Sequence, residues 1–140
     1  MSAKKLSGYF LDSNIWIYAL ADGQDQQKQD VAAQLIRTTS AVVSTQVINE
    51  VYINLLRKSN FSEEQVRELI TAFYQGSQVI PFDMEILTQA SSLRERYALS
   101  FWDSLIVASA LHAGLSTLYS EDMQHGLLVN GQLEILNPFG

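Results

Sequence analysis

Cysteine is absent from the 140-residue chain, proline occurs only twice, and long apolar runs are missing. Without cysteine there is no disulfide framework, no thiolate metal site and no thiol nucleophile. No stretch approaches the ~20 consecutive apolar residues of a transmembrane helix, and Asp12 interrupts the first apolar run too early for a signal peptide. We therefore expect a soluble, cytoplasmic protein without a membrane partner.

Basic residues are also scarce, with nine Lys and Arg against fifteen Asp and Glu and a formal net charge of −6. This balance argues against a nucleic-acid-binding protein, because phosphate neutralisation needs basic side chains. The argument weakens if some of the acids hold divalent cations, since two such ions would leave a net charge of about −2 and local basic patches could attract phosphates.

What the chain has in quantity is apolar side chains, which make up 47% of its residues, against 17% that are charged. No low-complexity tract interrupts them. This composition and length predict one compact domain that spans residues 1–140 and buries a real core.

Short apolar segments alternate with segments of helical periodicity along the whole chain. The predicted strands lie in residues 9–11, 41–45, 77–82, 116–122 and 133–136, and the predicted helices in residues 15–21, 25–38, 46–58, 62–75, 83–97 and 100–113, the last of which is stopped by Gly114. Strands that alternate with helices predict a parallel or mostly parallel sheet with helices on both faces. The predicted fold class is therefore α/β.

Four acidic residues follow predicted strands or begin predicted helices. Asp12 follows the first strand, Asp122 ends the fourth, and Glu50 lies in the first turns of the helix after the second strand. Because the carboxyl ends of parallel strands form sites in α/β proteins, we expect these three to face one crevice. Asp103 begins the most apolar helix and can join them only through tertiary packing.

Four carboxylates in one crevice raise one another's pKa unless a counter-charge is present, and divalent cations would supply it. Ligand sets made only of oxygen select Mg²⁺ or Mn²⁺ over Zn²⁺. One or two such ions favour hydrolysis of a phosphodiester, and Asn14 could hydrogen-bond a carboxylate or a water there. Each acid alone is equally well explained as a helix cap or a solvated charge, so this prediction depends on all four.

Four short motifs follow one another in a familiar order. They are DSN at residues 12–14, TQVINE ending in Glu50, FWDSLIVASAL containing Asp103, and LYSEDMQHG containing Ser120 and Asp122. Together they resemble the PIN-domain family, and within it the VapC-type toxins of bacterial and archaeal toxin–antitoxin modules. The resemblance implies a three-layer fold with a short, mostly parallel central sheet flanked by helices, and a metal-dependent ribonuclease activity. Ser13 stands where the family often has Thr.

The resemblance also implies roles for individual residues. The acidic quartet that holds Mg²⁺ or Mn²⁺ would be Asp12, Glu50, Asp103 and Asp122, with Asn14 and Ser120 as polar supports. Glu121, beside Asp122, could share ligand duty, so the fourth ligand stays open. The implied partners are an RNA substrate, a second copy of the chain in a homodimer, and an antitoxin whose peptide lies across the crevice.

Two other classes of function stay open. One is a non-catalytic PIN-like module that binds RNA or protein, which a complete acidic quartet disfavours. The other is a Mg²⁺-dependent phosphotransfer enzyme with Asp12 as nucleophile, which would need a lysine close to the acids in the sequence.

Several other side chains receive structural interpretations. We expect His125 to be a hydrogen-bonded loop residue and His112 a packing residue, and we expect the aromatic residues Trp102, Tyr18 and Tyr52 to pack in the core rather than stack on bases. The basic residues Arg57, Lys58, Arg94 and Arg96 are candidates for phosphate contacts, but solvated helix ends explain them equally well.

Overall fold

The computed structural model describes residues 8–21, 25–38 and 42–140. Within these ranges the strands are β1 (Phe10–Leu11), β2 (Val42–Ser44), β3 (Gln78–Ile80), β4 (Thr117–Tyr119), β5 (Leu128–Val129) and β6 (Leu133–Leu136). The helices are α1 (Ser13–Leu20), α2 (Gln26–Thr38), α3 (Thr45–Lys58), α4 (Glu63–Gly76), α5 (Met84–Tyr97) and α6 (Phe101–His112).

The strands pair mostly in parallel, as the alternation of elements predicts. In one sheet the order is β1-β4-β6-β5, with β1–β4 and β4–β6 parallel and β5–β6 an antiparallel hairpin. In the other, β2 pairs with β3 in parallel, and β1 lies in contact with β2. The α/β fold with a short, mostly parallel sheet flanked by helices is therefore confirmed. The division of the described strands into two hydrogen-bonded sheets was not predicted.

Helix α6 lies at the centre of the molecule. Every residue from 104 to 111 is buried, and the helix packs against α5, α3 and β4. Helix α6 has no polar face, because a helix that is covered on all sides has no side exposed to water. The prediction of a centrally buried helix is confirmed. None of the helices that the structure describes is long and apolar enough to cross a membrane.

The helix boundaries follow local signals in the sequence. Ser62 and Gln65 form the predicted capping box at the start of α4, and the Asp83 side chain accepts a hydrogen bond from Ile86 N at the start of α5. These side chains satisfy backbone N–H groups that have no partner within the helix. After α6 the chain turns at Gly114, whose φ of +74° favours glycine.

Some predictions at the level of single residues are wrong. Trp102 does not pack in the core, since 57% of its surface is exposed, and His112 is also exposed. Tyr52 is only half-buried, and its hydroxyl donates to Glu63. The predicted strand at residues 41–45 is shorter, because Thr45 already begins α3; its first residue lies outside the described ranges. The strand at residues 116–122 ends at Tyr119.

Candidate active site

Parallel pairing of β1 with β4 places Asp12 beside Ser120. Leu11 is in register with Tyr119, so the residue that follows each strand emerges at the same edge of the sheet. Asp12 N donates to Tyr119 O at 3.0 Å, and Ser120 Oγ donates to Asp12 Oδ2 at 2.8 Å. Asp12 is 4% exposed and Ser120 is fully buried, so the edge carries a carboxylate that is almost withdrawn from water.

Asp12 is at once a helix cap and a buried acid. Its Oδ1 accepts from Ser13 N at 2.7 Å, which caps α1. Burial raises the pKa of Asp12 to about 6; the hydrogen bonds from Ser120 and Ser13 oppose this, and the charges of Glu50 and Asp103 add to it. Asp12 therefore interrupts an apolar run because it ends a strand, begins a helix and lies among other acids.

Glu50 reaches the same place from α3, which follows β2. Its Oε2 accepts from Ser13 Oγ at 3.0 Å and its Oε1 from Gln46 Nε2 at 3.0 Å. Ser13 and Gln46 are both buried polar residues. Neither residue was predicted from the sequence to support the acids. The signals available were the position of Ser13 between Asp12 and Asn14, and the four-residue spacing that places Gln46 and Glu50 on one face of a helix.

Asp103 lies in the first turn of α6. Ser100 caps this helix, its hydroxyl accepting from Asp103 N at 3.1 Å. Burial raises the pKa of Asp103, and the charge of Asp122 raises it further, although a hydrogen bond with Ser100 opposes both. Asp103 thus lies close enough to both Asp12 and Asp122 for their charges to interact, which the order of elements alone could not establish.

Asp122 is exposed, and Asn14 connects it to α1. Asn14 Nδ2 donates to Asp122 Oδ2 at 3.2 Å. The other polar atom of this amide, Asn14 Oδ1, is buried and has no hydrogen-bond partner among the residues that the structure describes. Because a buried acceptor without a donor is unfavourable, this oxygen marks a place where a water or another ligand would be stabilised.

Glu121, the open alternative for the fourth ligand, has both oxygens engaged elsewhere. Tyr18 Oη donates to its Oε1 at 2.6 Å and Lys28 Nζ to its Oε2 at 2.5 Å. Burial alone would raise the pKa of Glu121, but the hydrogen bonds from Lys28 and Tyr18 outweigh it and hold that pKa below its usual value. Tyr18 is accordingly a half-buried hydrogen-bonding residue at the edge of this region, not purely a packing residue.

His125 is an exposed loop residue whose Nδ1 accepts from Asn137 N at 2.9 Å, in agreement with the structural role expected for it.

The acids suit a hard divalent cation by their chemistry. They offer only oxygen ligands, and a cation would relieve the unfavourable burial of Asp12. In the conformation described for residues 8–21, 25–38 and 42–140, however, no group of three or more Asp, Glu or His side chains is arranged to hold one ion. The donor set therefore fits Mg²⁺ or Mn²⁺, whereas a closed coordination shell is not preformed.

Comparison with known proteins defines the class. The PIN domain model matches residues 9–125, and the chain belongs to the PIN domain family. The resemblance drawn from the four motifs is thereby confirmed at the level of the family. A search of curated protein sequences gives no significant match.

Three solved structures share the fold at low sequence identity. A toxin–antitoxin complex from Klebsiella pneumoniae has a TM-score of 0.69 and 21% identity, covering 94% of this chain and 98% of that one. Mycobacterium tuberculosis VapC20, described as a toxin that cleaves the sarcin–ricin loop, has a TM-score of 0.65 and 18% identity, covering 79% and 86%. VapBC2 from Rickettsia felis, bound to a promoter DNA fragment, has a TM-score of 0.64 and 19% identity, covering 92% and 97%.

Proposed function

We propose that this protein is a divalent-metal-dependent endoribonuclease that hydrolyses RNA phosphodiester bonds and acts as the toxin of a type II toxin–antitoxin pair. Its catalytic and metal-binding residues would be Asp12, Glu50, Asp103 and Asp122, with Asn14 and Ser120 in support. The observation that carries the proposal is the burial of Asp12 beside Glu50 and Asp103. Burial raises the pKa of Asp12 to about 6, and the charges of the two other acids add to this rise. Buried acids whose pKa is raised by their surroundings cluster at functional sites.

Each acid of the quartet is oriented by a donor or a cap from this chain. Ser120 and Ser13 N hold the two oxygens of Asp12, and Ser13 Oγ holds Glu50. Asn14 holds Asp122 in the same way. Donors of this kind fix the orientation of individual carboxylates, which is how neighbouring residues support a metal site.

A bound Mg²⁺ or Mn²⁺ would supply an activated water and neutralise charge that develops on the phosphate. The part left to the protein is to bind and orient. Asp12 is buried and both Glu50 and Asp103 are half-buried, so these three would fix the cation, whereas the exposed Asp122 would complete the site from the side open to solvent. The accessible position of Asp122 also leaves room for a polymer such as RNA.

The partners are proposed from the structural relatives. One of them is described as a toxin–antitoxin complex, and another as a toxin that cleaves the sarcin–ricin loop. On this basis we infer an RNA substrate and a neutralising antitoxin for this chain. A homodimer, a single domain over residues 1–140 and a cytoplasmic location belong to the same proposal.

The two competing functions are less well supported. A phosphotransfer enzyme would need Asp12 as an exposed nucleophile, but this carboxylate is 4% exposed and both its oxygens accept hydrogen bonds. A non-catalytic binding module would have no use for the burial of Asp12 among other acids.

Cleavage of RNA tests the proposal. Purified chain, free of antitoxin, is incubated with a mixed cellular RNA pool in Mn²⁺ or Mg²⁺ and in EDTA. We expect metal-dependent cleavage that falls by about 100-fold or more in Asp12→Asn and Asp103→Asn. Asp83→Asn is a matched control, because Asp83 also caps a helix but is exposed on α5. Metal binding without any cleavage would favour the binding module.

A further inference from the structure

We propose that Lys28, Tyr18 and Glu121 form a clamp that positions the loop bearing Asp122 for metal binding, and that Glu121 is therefore an anchor and not a ligand. The inference rests on the proposed function, because the metal site is what the clamp would serve.

The loop after β4 is bound to the region around α1 at three successive residues. Ser120 donates to Asp12, Glu121 accepts from Tyr18, and Asp122 accepts from Asn14. Because Asn14 and Tyr18 are four residues apart on α1, they lie on one face of the helix. The loop therefore runs along that face and is held at each step.

Lys28 closes the arrangement from a different helix, α2. Its Nζ lies 2.5 Å from Glu121 Oε2 and 3.4 Å from Tyr18 Oη. It also lies 5.1 Å from the centroid of the Tyr18 ring and 5.5 Å from that of Phe139, and these two rings contact each other edge to face at 5.2 Å. A cation held by one carboxylate and two rings is better fixed than the lysine of an ordinary surface ion pair.

The adjacent carboxylates Glu121 and Asp122 therefore have separate tasks. Glu121 is already paired with the cationic Lys28 through one oxygen and accepts from Tyr18 through the other, so a metal ion would have to displace a charged donor of this chain. Among the residues that the structure describes, Asp122 accepts one side-chain hydrogen bond, from Asn14 to one of its oxygens. The clamp neutralises the extra acid beside the quartet and leaves Asp122 as the residue that faces the metal.

The test is a measurement of Mn²⁺ affinity by titration calorimetry on the full chain, together with the melting temperature without metal. We expect Lys28→Met and Glu121→Gln each to weaken Mn²⁺ binding about tenfold, as changes in residues that support metal ligands do. The double variant should bind Mn²⁺ no more weakly than whichever single variant binds it less tightly, because both changes break the same Lys28–Glu121 interaction.

A ligand role for Glu121 makes the opposite prediction. Glu121→Gln would then lose far more affinity than Lys28→Met, and Lys28→Met, which frees the carboxylate, would bind Mn²⁺ at least as tightly as the wild type. A merely structural role would lower the melting temperature and leave the Mn²⁺ affinity unchanged. Either result overturns the inference.

Tyr52→Phe is the matched control for Tyr18→Phe, because Tyr52 also donates to a glutamate at 2.6 Å but on the α3–α4 surface. Only Tyr18→Phe should weaken Mn²⁺ binding.

The same measurements distinguish failure of the clamp from failure of the proposed function. A wild type that binds Mn²⁺ alongside clamp variants of equal affinity refutes the clamp alone, whereas a wild type that binds no Mn²⁺ refutes both.

Discussion

Replacing the most buried acid of the site should make the metal-free protein more stable at neutral pH. The folded state raises the pKa of Asp12 from 3.8 to about 6, and at about 1.4 kcal/mol per pKa unit this corresponds to roughly 3 kcal/mol. The folded state holds the proton more tightly than the unfolded chain. The contribution of this group to stability is therefore fully present below about pH 4 and is lost as the pH rises through about 6.

Asp12→Asn removes this loss of stability, because asparagine stays neutral at every pH. The asparagine side chain can still accept the hydrogen bond from Ser13 N as a helix cap. At pH 7.5 and in EDTA, we expect its free energy of unfolding to exceed that of the wild type by about 1 to 3 kcal/mol, with little difference near pH 4. The assay is urea unfolding at a series of pH values. Asp83→Asn makes the same change at the exposed cap of α5 and is the matched control, which should bring no such gain in stability at pH 7.5.

The reasoning is refuted if the wild type and Asp12→Asn show the same change in unfolding free energy between pH 4 and 7.5. It is equally refuted if Asp12→Asn is the less stable protein at pH 7.5. Either outcome would mean that the folded state does not disfavour the ionised form of Asp12, and the electrostatic reason for a cation at the site would be lost.

Three further predictions concern the metal, a supporting hydroxyl and an exposed aromatic residue. Mn²⁺ should raise the melting temperature of the wild type but not of Asp12→Asn, and EDTA should reverse the rise; an equal rise in both would place the ion elsewhere. Ser13→Ala, which removes the donor to Glu50, should lower metal-dependent RNA cleavage about tenfold, and unchanged cleavage would contradict that positioning role. Trp102→Ala should change the free energy of unfolding by less than about 1 kcal/mol, because the side chain is 57% exposed; a loss of about 3 to 5 kcal/mol would show that it packs in a core.

The helices could be predicted because their signals are local. The capping box of Ser62 and Gln65 and the Asp83 cap depend on atoms three residues apart. The centrally buried α6 could be predicted because its residues are apolar on every side. Such features can be predicted because the residues that determine them lie within one short segment of the chain.

The strands and the exposed residues could not be predicted as well, because they depend on distant parts of the chain. Each described strand has only two to four residues, so the choice between one sheet and two is made by tertiary packing. Trp102 belongs to an apolar helix but lies at the end that emerges from the core. Nothing local distinguishes it from the apolar residues that are buried further along α6.

The candidate site also combines a local feature that could be predicted with a distant contact that could not. Asp12 could be recognised as an acid at the end of an apolar strand, but the pairing of Glu121 with Lys28 joins residues 93 positions apart. No spacing pattern in the sequence indicates that contact, and for this reason the sequence alone leaves both Asp122 and Glu121 open as the fourth ligand.

The most direct measurement is the anomalous X-ray scattering of Mn²⁺ in crystals of the full chain grown with that ion. We predict an anomalous peak within bonding distance of Asp12 and Asp103, with Asp122 turned towards it and Glu121 still bound to Lys28. A peak that avoids Asp12 and Asp103, or crystals that contain no Mn²⁺ at these acids, would contradict the central claim that they form a metal-dependent nuclease site.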